Sequence, residues 1–289
     1  MKIFLKAIRI HQWAKNILIF IPLMAAHKIG DIDVLRENIL AFFSFSFCAS
    51  AVYLLNDLMD LEADRLHEIK QHRPLASGKF PLSAARLLIP IFFVISFLIA
   101  LTLTRNFLYV LCFYVVLTTA YSFKLKKIVL VDVMVLAILY TTRIFAGALA
   151  GSVEISPWLL VFSMFLFSSL AFVKRFSEIQ LLHLKNSESG FGRGYMGKDI
   201  SVIGDLGVAS GYVSVLVMAL YVSSSDIREL YSQPHLMWLI CPMLMYWISR
   251  VWLLTRRGQM HSDPILFAVT DPTSYIIGFL CLLTIYFAT

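Results

Sequence analysis

Asn56, Asp57, Asp60 and Asp64 form the pattern Asn-Asp-x-x-Asp-x-x-x-Asp. Its aspartates are spaced i, i+3, i+7, which sets three carboxylates on one face of a helix about two turns long. They directly follow an apolar run, where uncompensated carboxylates are costly unless a cation balances them. Magnesium would balance them well, because it takes oxygen ligands and commonly bridges one or two carboxylates to substrate phosphates. Asn56 adds a neutral oxygen. The competing reading is a solvated loop with ordinary Asp–Arg pairs, and the placement at the end of an apolar segment favours the metal.

The remaining candidates are cations. Lys174, Arg175, Lys126 and Arg73 are of the type that grips phosphate, arginine through its bidentate fork. Glu178 lies one helical turn after Lys174, at i, i+4. Lys174 and Arg175 would equally mark the end of a membrane helix. Lys15 is a weaker candidate of the same kind. Arg143 is the one basic residue within an apolar run, and such a residue needs a partner. Asp132, eleven residues earlier, is about three turns away, so another helix or a substrate is the expected partner. Cys48, Cys112, Cys241 and Cys281 lie far apart in apolar runs without metal-ligand spacing. The histidines form no metal constellation.

The elements that must position these groups follow from composition. Of 289 residues 59% are hydrophobic, the mean hydropathy is +0.79, and soluble domains are nearer ~45–50% apolar. A membrane protein is expected. Runs of about 20 apolar residues fall near 13–27, 37–57, 82–104, 107–123, 129–151, 156–175, 202–223, 235–255 and 265–288. Nine transmembrane helices with a cytoplasmic N-terminus place twenty Lys and Arg on one side and four on the other, as the positive-inside pattern requires. The runs are too continuous for a membrane barrel. The net charge of +7 sits beside the membrane, which points to anionic lipid or phosphate and away from nucleic acid. The fold class is therefore all-α, a polytopic helix bundle in a single domain over residues 1–289. Segments two and six each run into a long charged loop, 58–81 and 176–200, which suggests two related halves.

The first signature, with Arg65 and "RPLASG" (73–78), resembles the UbiA superfamily of intramembrane transferases, as does "YSFKLK" (121–126) with Asp132 after it. The resemblance covers nearly the whole chain. It implies Mg²⁺ held on a diphosphate by Asp57, Asp60 and Asp64 at a cytoplasm-facing cavity. Most members transfer a prenyl group to an aromatic or other small acceptor and carry a second Asp-rich motif. Here that region instead reads "FVKRFSEIQLLHLKNSESGFGRGYMGKDI", with Lys174, Arg175 and Glu178. "HQWAKN" (11–16), "RIFAGALAG" (143–151), "KRFSE" (174–178) and "HSDPILFAVTD" (261–271) resemble the branch that moves phosphoribosyl groups onto polyprenyl phosphates.

That branch implies phosphoribosyl pyrophosphate as donor and a polyprenyl phosphate as acceptor. The alternative is prenyl transfer from a prenyl diphosphate. Under the resemblance, Asp57, Asp60, Asp64, Lys174 and Glu178 carry the chemistry, with Glu178 orienting Lys174 or accepting a ribose hydroxyl. Lys15, Asn56, Arg65, Lys70, Arg73, Tyr121, Lys126, Arg143, Arg175, Arg193 and Tyr195 contact substrates. Asp263 and Asp271 are expected to serve folding or loop docking. The expected setting is a bacterial inner membrane, with membrane lipid as a partner, and a homo-oligomer is compatible with it. A transporter is disfavoured, because transporters place polar groups near the midplane.

Overall fold

The computed structural model describes residues 2–66, 70–184, 194–260 and 263–289, which form helices and the turns between them. Seven helices among the described residues are long and apolar enough to cross a membrane. They are α1 (Ile32–Met59), α2 (Leu82–Leu101), α3 (Arg105–Phe123), α4 (Val131–Ala150), α5 (Pro157–Leu184), α6 (Ile200–Ser223) and α7 (Ile240–Arg256), the last long enough when taken with the 3₁₀ turn before it, as Pro234–Arg256. A shorter apolar helix, α8 (Pro272–Ala288), follows. The chain is an integral membrane protein.

The expected count of nine long helices is not reached among the described residues, and the two ends of the chain show why. The first apolar run is a 3₁₀ helix over Ile10–Phe20, followed by a short α-helix, Ile21–Ala25, with Pro22 near its start. Proline has no N–H to donate into a continuous helix and is tolerated only in a first turn. The last run is divided at Asp271. Its carboxylate accepts from the Ser274 N–H at 2.8 Å, and Pro272 opens α8, so two start signals begin a new helix there.

The chain forms two compact units, residues 1–123 with 142–154, and residues 124–141 with 155–289. Within the first unit, α1 presents small buried residues including Ala41, Ser44 and Ala51, which allow close helix approach in a membrane. Ser44 Oγ donates to the Ser96 carbonyl at 2.9 Å, and Ser96 Oγ donates back to the Ser44 carbonyl at 2.8 Å. This reciprocal pair joins α1 to α2. The 3₁₀ segment runs antiparallel to α1: Trp13 Nε1 donates to Ser50 Oγ and Asn16 Nδ2 to Ser46 Oγ, each at 2.9 Å. Phe20 then meets Phe42, with ring centroids 6.0 Å apart. The contacts thus step by three and then four residues along the 3₁₀ segment and by four along α1. Gly147 lets α4 touch this segment, since a Cβ there would overlap the Ile19 carbonyl.

Within the second unit, Ser169 Oγ on α5 donates to the Gly207 carbonyl of α6 at 2.7 Å. It accepts from Trp252 Nε1 of α7 at 3.0 Å. A side chain at Gly207 would overlap the Trp252 ring, so this three-helix contact requires glycine.

Candidate functional site

The acidic signature lies where α1 ends. Asp57 is on its last turn and buried. Asp60 ends the helix, its N–H donating to the Asn56 carbonyl at 2.9 Å. A short helix, Leu61–Leu66, then carries Asp64, also buried. The Asp64 N–H donates to the Asp60 carbonyl at 2.8 Å, so helical spacing persists across the junction.

Arg73 follows the 3₁₀ turn Lys70–His72, and Nη1 donates to both Asp57 Oδ1 at 3.1 Å and Asp64 Oδ2 at 2.5 Å. Arg9 Nη2 donates to the same Asp57 oxygen at 2.5 Å, and its guanidinium lies 5.0 Å from the Tyr53 ring centroid. Asn56 donates its amide to Ser122 Oγ of α3 at 2.8 Å. Tyr121, next to Ser122 in sequence, is half-buried, as is Lys70, while Arg65 is exposed.

The structure therefore brings Asp57 and Asp64 together around one cation. Among the described residues no three His, Cys, Asp or Glu side chains gather as a metal cage. The donor set nevertheless fits magnesium. Two carboxylates already converge on one positive group, and this ion is commonly held by one or two carboxylates while phosphate and water complete its shell.

Arg143 finds its partners within the first unit. Nε donates to Asn16 Oδ1 at 2.8 Å and Nη2 to the Tyr114 hydroxyl at 3.2 Å. The guanidinium also lies 5.1 Å from the Tyr114 ring centroid, a cation–π distance. The partners are other segments, as expected, and Asp132 is engaged elsewhere. Lys15, next to Asn16, is buried.

In the second unit Asp132 sits on the first turn of α4 and Arg175 on α5, with 0% and 1% of their side chains exposed. Arg175 Nε lies 2.7 Å from Asp132 Oδ2, and Nη1 pairs with Glu178. Glu178 thus meets Arg175, one position on from the lysine it was expected to orient. The Tyr195 hydroxyl donates to Asp132 Oδ1 at 2.5 Å and accepts from the Leu130 N–H at 2.9 Å. Burial first, and then this bond to Asp132, push the Tyr195 hydroxyl well above its ordinary range. Lys174 and Lys126 are half-buried. Arg193 lies outside the described residues.

Asp263 and Asp271 cap helices. Asp263 accepts from the Ile265 N–H at 3.1 Å, and Asp271 forms a bidentate pair with Arg250 at 2.8 and 3.0 Å. Burial pushes the Asp271 carboxyl up, but the bonds from Arg250 and from the Ser274 N–H and hydroxyl outweigh it. The net shift is downward.

Sequence reasoning missed Arg9, Asn16 and Tyr114. Arg9 has a left-handed backbone (φ 53°), a feature no sequence pattern announces for arginine.

Known proteins give this geometry a context. The model of the "UbiA prenyltransferase family" matches residues 17–181. The uncharacterized protein y4nM of Sinorhizobium fredii is 37% identical over 96% of this chain and 54% of its own length. The chain thus spans about half of that relative. Nodulation protein NoeC of Azorhizobium caulinodans is 34% identical over 94% of this chain and 88% of its own. Decaprenyl-phosphate phosphoribosyltransferase of Mycobacterium tuberculosis is 38% identical, covering 61% of this chain and 60% of its own. A solved UbiA homolog from Archaeoglobus fulgidus, bound to GPP and Mg²⁺, superposes with a TM-score of 0.72 over 98% of both chains at 17% identity, which shows a shared fold. With the all-helical membrane architecture and the acidic signature, these likenesses fix the lineage: the chain belongs to the UbiA prenyltransferase family.

Proposed function

We propose that this chain, acting as one domain, transfers a 5-phosphoribosyl group from phosphoribosyl pyrophosphate to a polyprenyl phosphate. The acceptor phosphate oxygen attacks the anomeric carbon, the bond to the diphosphate oxygen breaks, and pyrophosphate leaves. The product would be a sugar lipid for a cell-envelope glycan, made on the cytoplasmic side of a bacterial inner membrane.

The observation that carries this reading is the second half of α5. In place of a second aspartate cluster it holds Lys174, Arg175 and Glu178, with Arg175 between Asp132 and Glu178. The likeness to decaprenyl-phosphate phosphoribosyltransferase supports it.

Magnesium held by Asp57, Asp60 and Asp64, with Asn56 beside them, would neutralise the charge growing on the departing pyrophosphate. The chain's own groups do the rest. Arg73, Arg65, Lys70 and Lys126 bind phosphate oxygens, and Lys174 meets the donor's 5-phosphate. Arg175, neutralised by Asp132, holds the Glu178 carboxylate in place for a ribose hydroxyl. Tyr121, Tyr195 and Arg193 complete the donor contacts, while Lys15 and Arg143 serve the lipid side.

The test is to incubate purified protein in nanodiscs with Mg²⁺, decaprenyl phosphate and phosphoribosyl pyrophosphate. Mass spectrometry should show decaprenyl-phosphoryl-5-phosphoribose, lost on adding chelator. No such product, together with prenyl transfer from a prenyl diphosphate to a small acceptor, would replace this reading with the alternative.

A further inference from the structure

We propose that Arg9 and Arg73 make the acidic site accept a divalent cation only together with a diphosphate, so that neither ligand binds well alone. The inference rests on the reading of the aspartates as a cation site, but not on which group is transferred.

The charge balance turns on one atom. Asp57 Oδ1 accepts from both guanidiniums, Arg9 at 2.5 Å and Arg73 at 3.1 Å, and Arg73 also reaches Asp64 at 2.5 Å. The two buried carboxylates and the two guanidiniums cancel, and half-buried Asp60 adds one negative charge beside them. The carboxylate side chains are only 3% exposed, so an uncompensated charge there is expensive. A free divalent cation would compete with both arginines for Asp57 and, with three aspartates against two guanidiniums and the ion, leave positive charges in excess in the cluster. Arginine cannot shed its proton to relieve them. A diphosphate arriving with the cation supplies the missing negative charge.

The two arginines are placed to make that exchange. Their side chains are 22% and 30% exposed, so neither is sealed into the cluster and each has room to turn toward phosphate. Arg9 keeps a second hold near the site through the Tyr53 ring, so release from Asp57 does not cost it its place. Phosphate oxygens are the natural new acceptors for a planar fork. The same two groups therefore bar the metal when it comes alone and hold the anion when it comes with metal.

Positive coupling is the expected result, and coupling is reciprocal. Purified protein in nanodiscs would be filtered with radiolabelled Mn²⁺ and pyrophosphate, separately and together, at matched free Mn²⁺. Saturating pyrophosphate should tighten Mn²⁺ binding about tenfold or more, within the usual range for coupled sites, and Mn²⁺ should tighten pyrophosphate equally. Arg9→Gln should bind Mn²⁺ alone more tightly than wild type and lose most of the coupling, while Arg9→Lys should keep it. Equal Mn²⁺ affinity with and without pyrophosphate in wild type would overturn the proposal without any variant, as would full coupling in Arg9→Gln. Failure to bind Mn²⁺ under any condition would overturn the cation site itself, a distinguishable result.

Discussion

At the scale of single residues, the proposed reaction gives the aspartates the chemistry and the arginines the charge balance. Asp57→Asn or Asp60→Asn should lower turnover by about a hundredfold or more, the scale on which preorganised charge stabilisation acts. Each variant should keep the wild-type elution profile and circular dichroism; full activity in both would contradict the site. The Asp132–Arg175 pair makes a different prediction. Asp132→Ala leaves a buried guanidinium short of a partner, a change that costs about 3–5 kcal/mol and should lower the melting temperature clearly. Asp132→Leu with Arg175→Met should recover most of the loss, because a well-packed apolar pair tolerates burial. An unchanged melting temperature in Asp132→Ala would contradict the pairing. The aspartate pattern was legible because i, i+3, i+7 encodes a helix face. Arg9 was not, because it reads as one of several N-terminal cations and its partner lies 48 positions away. Arg175 was legible as a candidate, while its pairing with Asp132 depends on two helices meeting.

At the scale of elements, the segments before α1 and around α8 depart most from what hydropathy suggests. An apolar run near 13–27 reads as a spanning helix, but in the structure most of it is a 3₁₀ rod laid along α1. Hydropathy reports only that a segment is oily. Helix type here follows from Pro22 and from the side chains that meet Ser46 and Ser50, which are non-local. The rod depends on Gly147 at its back. Gly147→Leu should push it off α4 and destabilise the protein by about 1–3 kcal/mol, the usual range for overpacking. Trp13 fluorescence should shift to the red as its hydrogen bond to Ser50 is lost; an unchanged spectrum would contradict the contact. At the other end, Asp271 caps α8 and has its carboxyl shifted below the ordinary value. A lowered folded-state pKa contributes stability that is present above about pH 4 and lost as pH falls through the folded value. Wild type should therefore lose more stability than Asp271→Asn on acidification below about pH 4, as read by thermal melting. Parallel acid profiles would count against this role for the cap.

At the scale of the whole molecule, the all-helical membrane fold and the family were both legible in the residues alone. Composition is decisive because a chain this apolar must satisfy its backbone internally in lipid, and the asymmetry of Lys and Arg constrained how many segments cross. The end segments blurred the count, since length and apolarity do not reveal where a proline or a capping aspartate divides a run. The family fold tolerates wide sequence change, with 17% identity to the Archaeoglobus fulgidus homolog, so the fold alone does not name the reaction. Lys174, Arg175 and Glu178 are the side chains that set this chain apart from an aspartate-rich second loop. The most direct measurement is pyrophosphate release by the purified protein with each donor in turn. Release from phosphoribosyl pyrophosphate should require both Mg²⁺ and polyprenyl phosphate, and geranylgeranyl diphosphate with a small acceptor should give none. Release from geranylgeranyl diphosphate alone among the donors would contradict phosphoribosyl transfer.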